Sequence, residues 1–200
     1  DLVRRTPVPP PTELVVTNLD DSGPGSLRQA LALIAEDGTI TFDPGLAGGT
    51  LTLTSGQLAI DGSVTVDASA AAPVTLSGGG SSRVLNVAAG AEVSMIDLVI
   101  RDGVAAPRGG GILNDGMLKL DRVVVTENTE NSAGPANFAF GGGGIYNGEG
   151  ATLDLTDSTV SDNRTLNQPG GGIYGFFNST VTVTRSTVSG NVGGDVAGGL

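Results

Sequence analysis

Apolar and polar positions alternate through most of this chain after residue 39. Two apolar residues flank one outward position in Ile40-Thr41-Phe42, Leu51-Thr52-Leu53, Val64-Thr65-Val66, Val74-Thr75-Leu76, Val93-Ser94-Met95, Leu118-Lys119-Leu120, Leu153-Asp154-Leu155 and Val181-Thr182-Val183. A period of two belongs to strands, so each triplet predicts a short strand with one buried side. Upstream, Leu14-Val15-Val16-Thr17 predicts a strand and Asp20 to Gly25 a turn. From Ser26 the spacing turns helical, with Leu27, Ala30, Leu31 and Ile34 on one face; Ser26 is placed as the N-cap and Gln29 as its capping-box partner. Pro7, Pro9, Pro10 and Pro11 remove ladder donors, so residues 1–12 read as an extended Pro-rich leader or linker.

The alternating segments belong to a repeat. Gly109-Gly110-Gly111-Ile112-Leu113-Asn114, Gly142-Gly143-Gly144-Ile145-Tyr146-Asn147 and Gly170-Gly171-Gly172-Ile173-Tyr174 are copies of one unit, each followed by an alternating run and a Val-x-x-Asn close at Val125–Asn128, Val160–Asn163 and Val188–Asn191. The copies differ in length mainly through the stretch Thr129 to Phe140, which reads as one inserted loop. Units of about 25 to 30 residues have room for one three-sided coil. The expected fold is all-β: a right-handed parallel β-helix of about six coils over residues 40–200, behind an N-terminal cap of strand plus amphipathic helix over 13–39. The hexapeptide pattern of left-handed helices and the calcium-binding nonapeptide of β-rolls are both missing from the sequence. The helix from Ser26 is the expected lid on one open end. Leu200 aligns with Ile112, Ile145 and Ile173, which puts the chain part-way round a coil at its last residue, so the last coil is expected to be incomplete and to be continued by more chain or closed by another molecule.

The paired Gly-Gly-Gly-Ile and Val-x-x-Asn motifs resemble the Gly-Gly-Ala-Ile and Phe-x-x-Asn repeats of polymorphic outer-membrane proteins. Asp21 to Ala30, containing Ser26-Leu27-Arg28-Gln29-Ala30, resembles the Ser-Leu-Arg-Glu-Ala opening of large bacterial secreted β-helix proteins. The resemblance implies an extracellular or cell-surface adhesin or structural protein. Gly25 stands where many such relatives carry Cys, and Val replaces Phe in the Asn motif, so neither a disulfide-tied cap nor an internal aromatic stack carries over.

Composition narrows the chemistry. Ten basic against 21 acidic residues give a net charge of −11, and Lys119 is the sole lysine, which argues against nucleic acid as a partner. The chain has no Cys, hence no disulfide or thiolate chemistry, and no apolar span suited to membrane insertion by this segment. It starts at Asp1 rather than Met, as a processed product or part of a longer protein would. No Lys-Ser or Lys-Thr follows a glycine run, which excludes a P-loop.

Asn114 and Asn147 form one expected column and Asn128, Asn163 and Asn191 another, as structural ladders in which an amide donates to one coil and accepts from the next. The aromatics Phe138, Phe140, Phe176 and Phe177 are candidates for contact with a protein partner or a surface glycan, with Tyr146 and Tyr174 stacked one coil apart. The edge near Val188, Asn191 and Leu200 is a candidate for end-to-end self-association. The enzyme alternative is a calcium-dependent polysaccharide lyase built from Asp97, Asp102, Asp121, Asp154, Asp157 and Asp162 with Arg101, Arg122 or Arg185 as base; with no His in the chain and no specific calcium motif, the expectation is no catalytic residue, no metal site and no cofactor. A threonine column of Thr41, Thr52, Thr65, Thr75 and Thr182 would suit ice binding, but Ser94, Lys119 and Asp154 interrupt it. The function expected from these residues is a non-enzymatic extracellular scaffold or adhesion module.

Overall fold

The computed structural model describes residues 8–135 and 140–194. Over these the chain winds as a parallel β-solenoid of about six coils. The first face stacks seven strands: Glu13–Val16, Gly38–Phe42, Val64–Asp67, Glu92–Ile96, Met117–Asp121, Thr152–Thr156 and Thr180–Thr184. The second face stacks six, from Thr50–Thr52 through Val74–Ser77, Leu98–Arg101, Val124–Thr126 and Thr159–Ser161 to Thr187–Ser189. The third stacks five, Leu58–Ile60, Leu85–Val87, Ile112–Asn114, Ile145–Asn147 and Ile173–Gly175. A fourth, two-residue-wide sheet of Val104–Ala105, Thr129–Glu130 and Arg164–Thr165 fills the corner between the second and third faces.

Period-two patterning produces this body because every coil must send one row of side chains into a common interior. Ile40, Val66, Met95, Leu120 and Leu155 are all buried in one first-face column, in register from strand to strand. Each such side chain, fully buried, stabilises by roughly 1.5–3 kcal/mol. The column weakens at the last rung, where Val183 is 40% exposed with only one neighbouring rung to pack against.

At the other end the short helix Leu27–Leu33 buries Leu27 and Ala30, while Leu31 and the C-cap Ile34 pack on the core margin. Ser26 caps it by accepting from the Gln29 amide at 3.2 Å. The reciprocal arm is displaced by one residue: Gln29 Oε1 accepts from the Gly25 amide at 2.9 Å, because the Ser26 amide already donates to the Gly23 carbonyl. The capping strand is also less separate than the sequence suggests. Glu13–Val16 pairs residue for residue with Thr39–Phe42, so it is the first rung of the first face, and the next strand starts at Gly38 rather than Ile40.

Two further expectations shift. Leu51-Thr52-Leu53 and Val74-Thr75-Leu76 lie on the second face, whereas the other triplets lie on the first, so Thr52 and Thr75 share no column with Thr65 and Thr182. Thr41 belongs to a parallel row with Asp67. The inserted loop begins at Asn131, since Thr129 and Glu130 are a strand of the corner sheet. Among the described residues no helix is long and apolar enough to cross a membrane.

Candidate functional site

The interior polar columns are bonded rung to rung. Asn128 Nδ2 donates to Asn163 Oδ1 at 2.9 Å, and Asn163 Nδ2 donates to Asn191 Oδ1 at 3.0 Å. Both oxygens also accept backbone amides, those of Asn128 and Asn163, and at the upper end Asn128 Oδ1 accepts the Gly103 amide. Asn114 Nδ2 donates to Asn147 Oδ1 at 2.6 Å in the second column, which stops at Gly175. Asn114, Asn128, Asn147 and Asn163 are fully buried, with their hydrogen-bonding capacity spent on the fold.

The glycine run follows from those columns. Gly142 takes a φ of +71° at the bend. A Cβ on Gly143 would stand 2.4 Å from the carbonyl oxygens of both Arg164 and Gly171, and one on Gly144 would meet the amide head of Asn163 at 2.9 Å. One glycine turns the chain, the second lets backbone meet backbone, and the third makes room for the ladder.

Outside, the corner between the first and second faces carries a column of residues in the left-handed region: Asp97, Arg122, Asp157 and Arg185, with φ of 57°, 54°, 50° and 48°. Their signs alternate. Arg122 holds Asp97 through two bonds of 2.9 and 2.8 Å and also reaches Asp121; Arg185 holds Asp157 through bonds of 2.7 and 2.6 Å. A shallow groove of about 680 Å³ on the first face gathers Lys119, Asp121, Arg122, Asp154, Asp157 and Arg185. Asp102 and Asp162 sit instead at the next corner, where Arg101 bonds Asp102 and Glu127.

Of the lyase candidates, Asp97, Asp102, Asp121 and Asp157 are held by arginines. Hydrogen bonding to Asp97 and the charges of Asp121 and Asp97 push the Arg122 guanidinium above its ordinary range despite some desolvation, opposite to what a base requires. Bonding to Asp157 does the same for Arg185. Among the described residues no group of three or more His, Cys, Asp or Glu converges to hold a metal ion.

On the outer side of the third face Tyr146 and Tyr174 occupy adjacent rungs in register, ring centroids 5.7 Å apart. Phe176 stacks against Tyr146 at 6.1 Å and Phe177 meets Phe176 edge-on at 4.7 Å. Tyr146 is buried, and burial pushes its hydroxyl above the usual range; Phe177 is 69% exposed. The Arg108 guanidinium lies over the Tyr146 ring at 5.1 Å. Beside these rings runs a groove of about 480 Å³ lined by Asn86, Ala88, Arg108, Asp115, Glu149 and Phe176. Phe140 is half-buried away from that lining, and Phe138 lies outside the described residues.

At the far rung Val188 packs against the core margin and Asn191 closes the asparagine column by donating to the Val160 carbonyl, so both serve the fold before any contact; Leu200 lies outside the described residues. Comparison with known proteins returns no matching family model, no matching curated protein and no matching solved structure.

Three working groups escaped the sequence reading. Ser158 and Ser186 form a third polar column, Ser158 Oγ accepting the Val123 amide and Ser186 Oγ the Ser158 amide, announced only by the repeated Ser-Thr-Val-Ser. Arg28 bonds the Gly56 and Gln57 carbonyls and Asp21, clamping the cap to the first coil. Burial works to raise the Asp21 carboxyl, but bonds from Ser55, Arg28 and Thr54 and the Arg28 charge outweigh it and hold it at about 2. Glu130 is fully buried in the corner sheet; Oε1 accepts the Ser132 amide, Oε2 has no partner among the described residues, and burial raises its carboxyl above the ordinary range.

Proposed function

We propose that this chain is a non-catalytic binding and scaffolding module of the cell-surface or extracellular kind, which meets a glycan on the outer side of its third face. One observation carries the reading: Tyr146, Tyr174, Phe176 and Phe177 converge on one patch beside a groove, and Phe177 holds its ring in solvent there rather than in the core. An exposed ring offers an apolar plane to the C–H face of a sugar, and hydrogen-bonding side chains along the neighbouring groove supply orientation.

The polymorphic outer-membrane protein resemblance of the glycine and asparagine motifs supports a surface role for the scaffold, as does the acidic composition. The lyase alternative has the first-face groove in its favour, but both arginines there, Arg122 and Arg185, are tied to acids. A glycan array followed by titration calorimetry tests the proposal. Binding of a linear oligosaccharide that is weakened by Phe177→Ala and Phe176→Ala, without product release, supports it; no binding to any glycan, or cleavage of an acidic polysaccharide, overturns it.

A further inference from the structure

The acceptor pattern for N-linked sugars, Asn-x-Ser/Thr, occurs twice in the chain, at Asn163-Arg164-Thr165 and at Asn178-Ser179-Thr180. The structure separates the two. Asn163 is fully buried, and its Nδ2 donates to the Val125 and Ser161 carbonyls and to Asn191, so a sugar on that nitrogen is incompatible with the folded coil. Asn178 and Thr180 are both exposed, and the Asn178 side-chain amide makes no hydrogen bond to a described residue.

The turn that presents Asn178 is fixed. The Ser179 amide closes it on the Phe176 carbonyl at 3.0 Å, and three bonds fasten it to the preceding coil: the Phe176 amide to the Asn147 carbonyl, the Gly150 amide to the Phe177 carbonyl and the Thr180 amide to the Ala151 carbonyl. Turns 88–91 and 148–151 close by the same bond, Ala91 to Ala88 and Ala151 to Gly148, and place Gly90 and Gly150 in the left-handed region with φ of 85° and 68°. In the third turn that position is Asn178, with φ of 57°. Glycine is what such a bend favours; asparagine tolerates it and brings an amide into solvent. Beside it Phe177 is 69% exposed, its ring braced edge-on by Phe176 at 4.7 Å.

We propose that Asn178 is an acceptor for N-linked glycosylation, and that the attached sugar lies on the Phe177 ring and denies that plane to free glycan. In the transfer, Asn178 Nδ2 attacks the anomeric carbon of a sugar carried as a glycosyl diphosphate, lipid-linked or nucleotide-linked. The N–C bond forms as the C–O bond to the diphosphate breaks, the diphosphate leaves with the bonding pair, and the amide nitrogen gives one of its two protons to a base of the transferase. Thr180 supplies the hydroxyl two residues on that completes the acceptor pattern. A sugar tethered beside the ring meets it at a high effective concentration, which a dilute free oligosaccharide does not match. The acceptor assignment stands on the turn alone; the blocking rests on the glycan reading above and gives that surface its regulation.

The test is intact-mass and glycopeptide mass spectrometry on the full chain purified from the cells that make it. The expected result is one glycan, on Asn178, with Asn163 bare. Thr180→Ala expressed in the same cells should abolish the modification and Thr180→Ser should retain it; the backbone carbonyl of Thr180, which accepts from Asn147 Nδ2, is kept in both. In calorimetry the Thr180→Ala protein, bare at Asn178, should bind the array's best oligosaccharide about tenfold tighter than the glycosylated protein does. An unmodified Asn178, or a sugar on Asn163 in folded protein, overturns the acceptor assignment. A glycan on Asn178 with equal affinity in the two proteins overturns the blocking. If the bare protein binds no oligosaccharide, the glycan reading and the blocking fall together, while the acceptor assignment is decided by the mass spectra alone.

Discussion

Replacing Asn163 by Ala tests whether the buried amides hold the coils together. Asn163 Nδ2 donates to the Val125 and Ser161 carbonyls and to Asn191, and its Oδ1 accepts both the side-chain amide and the backbone N–H of Asn128. Alanine deletes all of these and leaves the buried Asn128 N–H with no acceptor. An orphaned buried group costs about 1–3 kcal/mol and each lost bond about 0.5–1.5, so the expected destabilisation is about 3–5 kcal/mol. Urea unfolding followed by far-ultraviolet circular dichroism measures it, with Asn131→Ala in the exposed loop expected to stay within about 0.5 kcal/mol. Asn128→Ala combined with Asn163→Ala should cost less than the two singles together, because they share one interaction. A loss below about 1 kcal/mol for Asn163→Ala, or strict additivity in the double variant, refutes the ladder argument.

Gly143→Ala forces a Cβ to within 2.4 Å of two carbonyl oxygens that belong to rigid backbone, and should leave the protein unfolded or insoluble at 37 °C, whereas Gly134→Ala, with open space around it, should be neutral by thermal melting. Glu130 has a folded pKa raised by burial, so its contribution is complete below the unfolded carboxylate range and is lost as pH rises through the folded value; the melting temperature should fall as pH rises above the ordinary carboxylate range, and Glu130→Gln should flatten that slope. Asp21 runs the other way. Its pKa is lowered from 3.8 to about 2, so the stability it supplies is present above 3.8 and lost as pH falls through 2. Asp21→Asn should cost about 1–3 kcal/mol at neutral pH and abolish that acid-side loss, read as the melting temperature between pH 4 and 2.

The solenoid was legible because its cause is local and repeated: triplets such as Leu153-Asp154-Leu155 show the buried side of each strand, and Val-x-x-Asn marks the bend. Which face a triplet occupies was not legible, since Leu51-Thr52-Leu53 and Val64-Thr65-Val66 read alike and only coil geometry puts them on different sides. The corner sheet escaped because two-residue strands carry no periodicity. Of the candidate contact residues, Phe176 and Phe177 meet Tyr146 on the third face as a cluster of aromatics would suggest. The two acids that line the same groove, Asp115 and Glu149, are 34 residues apart and become neighbours only through stacking. Sequence spacing likewise gave the acids and arginines of the first face no pairing; adjacent rungs bring Asp97 onto Arg122 and Asp157 onto Arg185.

That corner column of Asp97, Arg122, Asp157 and Arg185 bears on how such a body can change length over its history. Excising one coil would seat Asp97 on Asp157 or Arg122 on Arg185, like charge on like in a strained bend, while excising two adjacent coils would restore an acid above a base. Gain and loss of turns in this region are therefore favoured in even numbers, and the natural unit of duplication is a pair of coils.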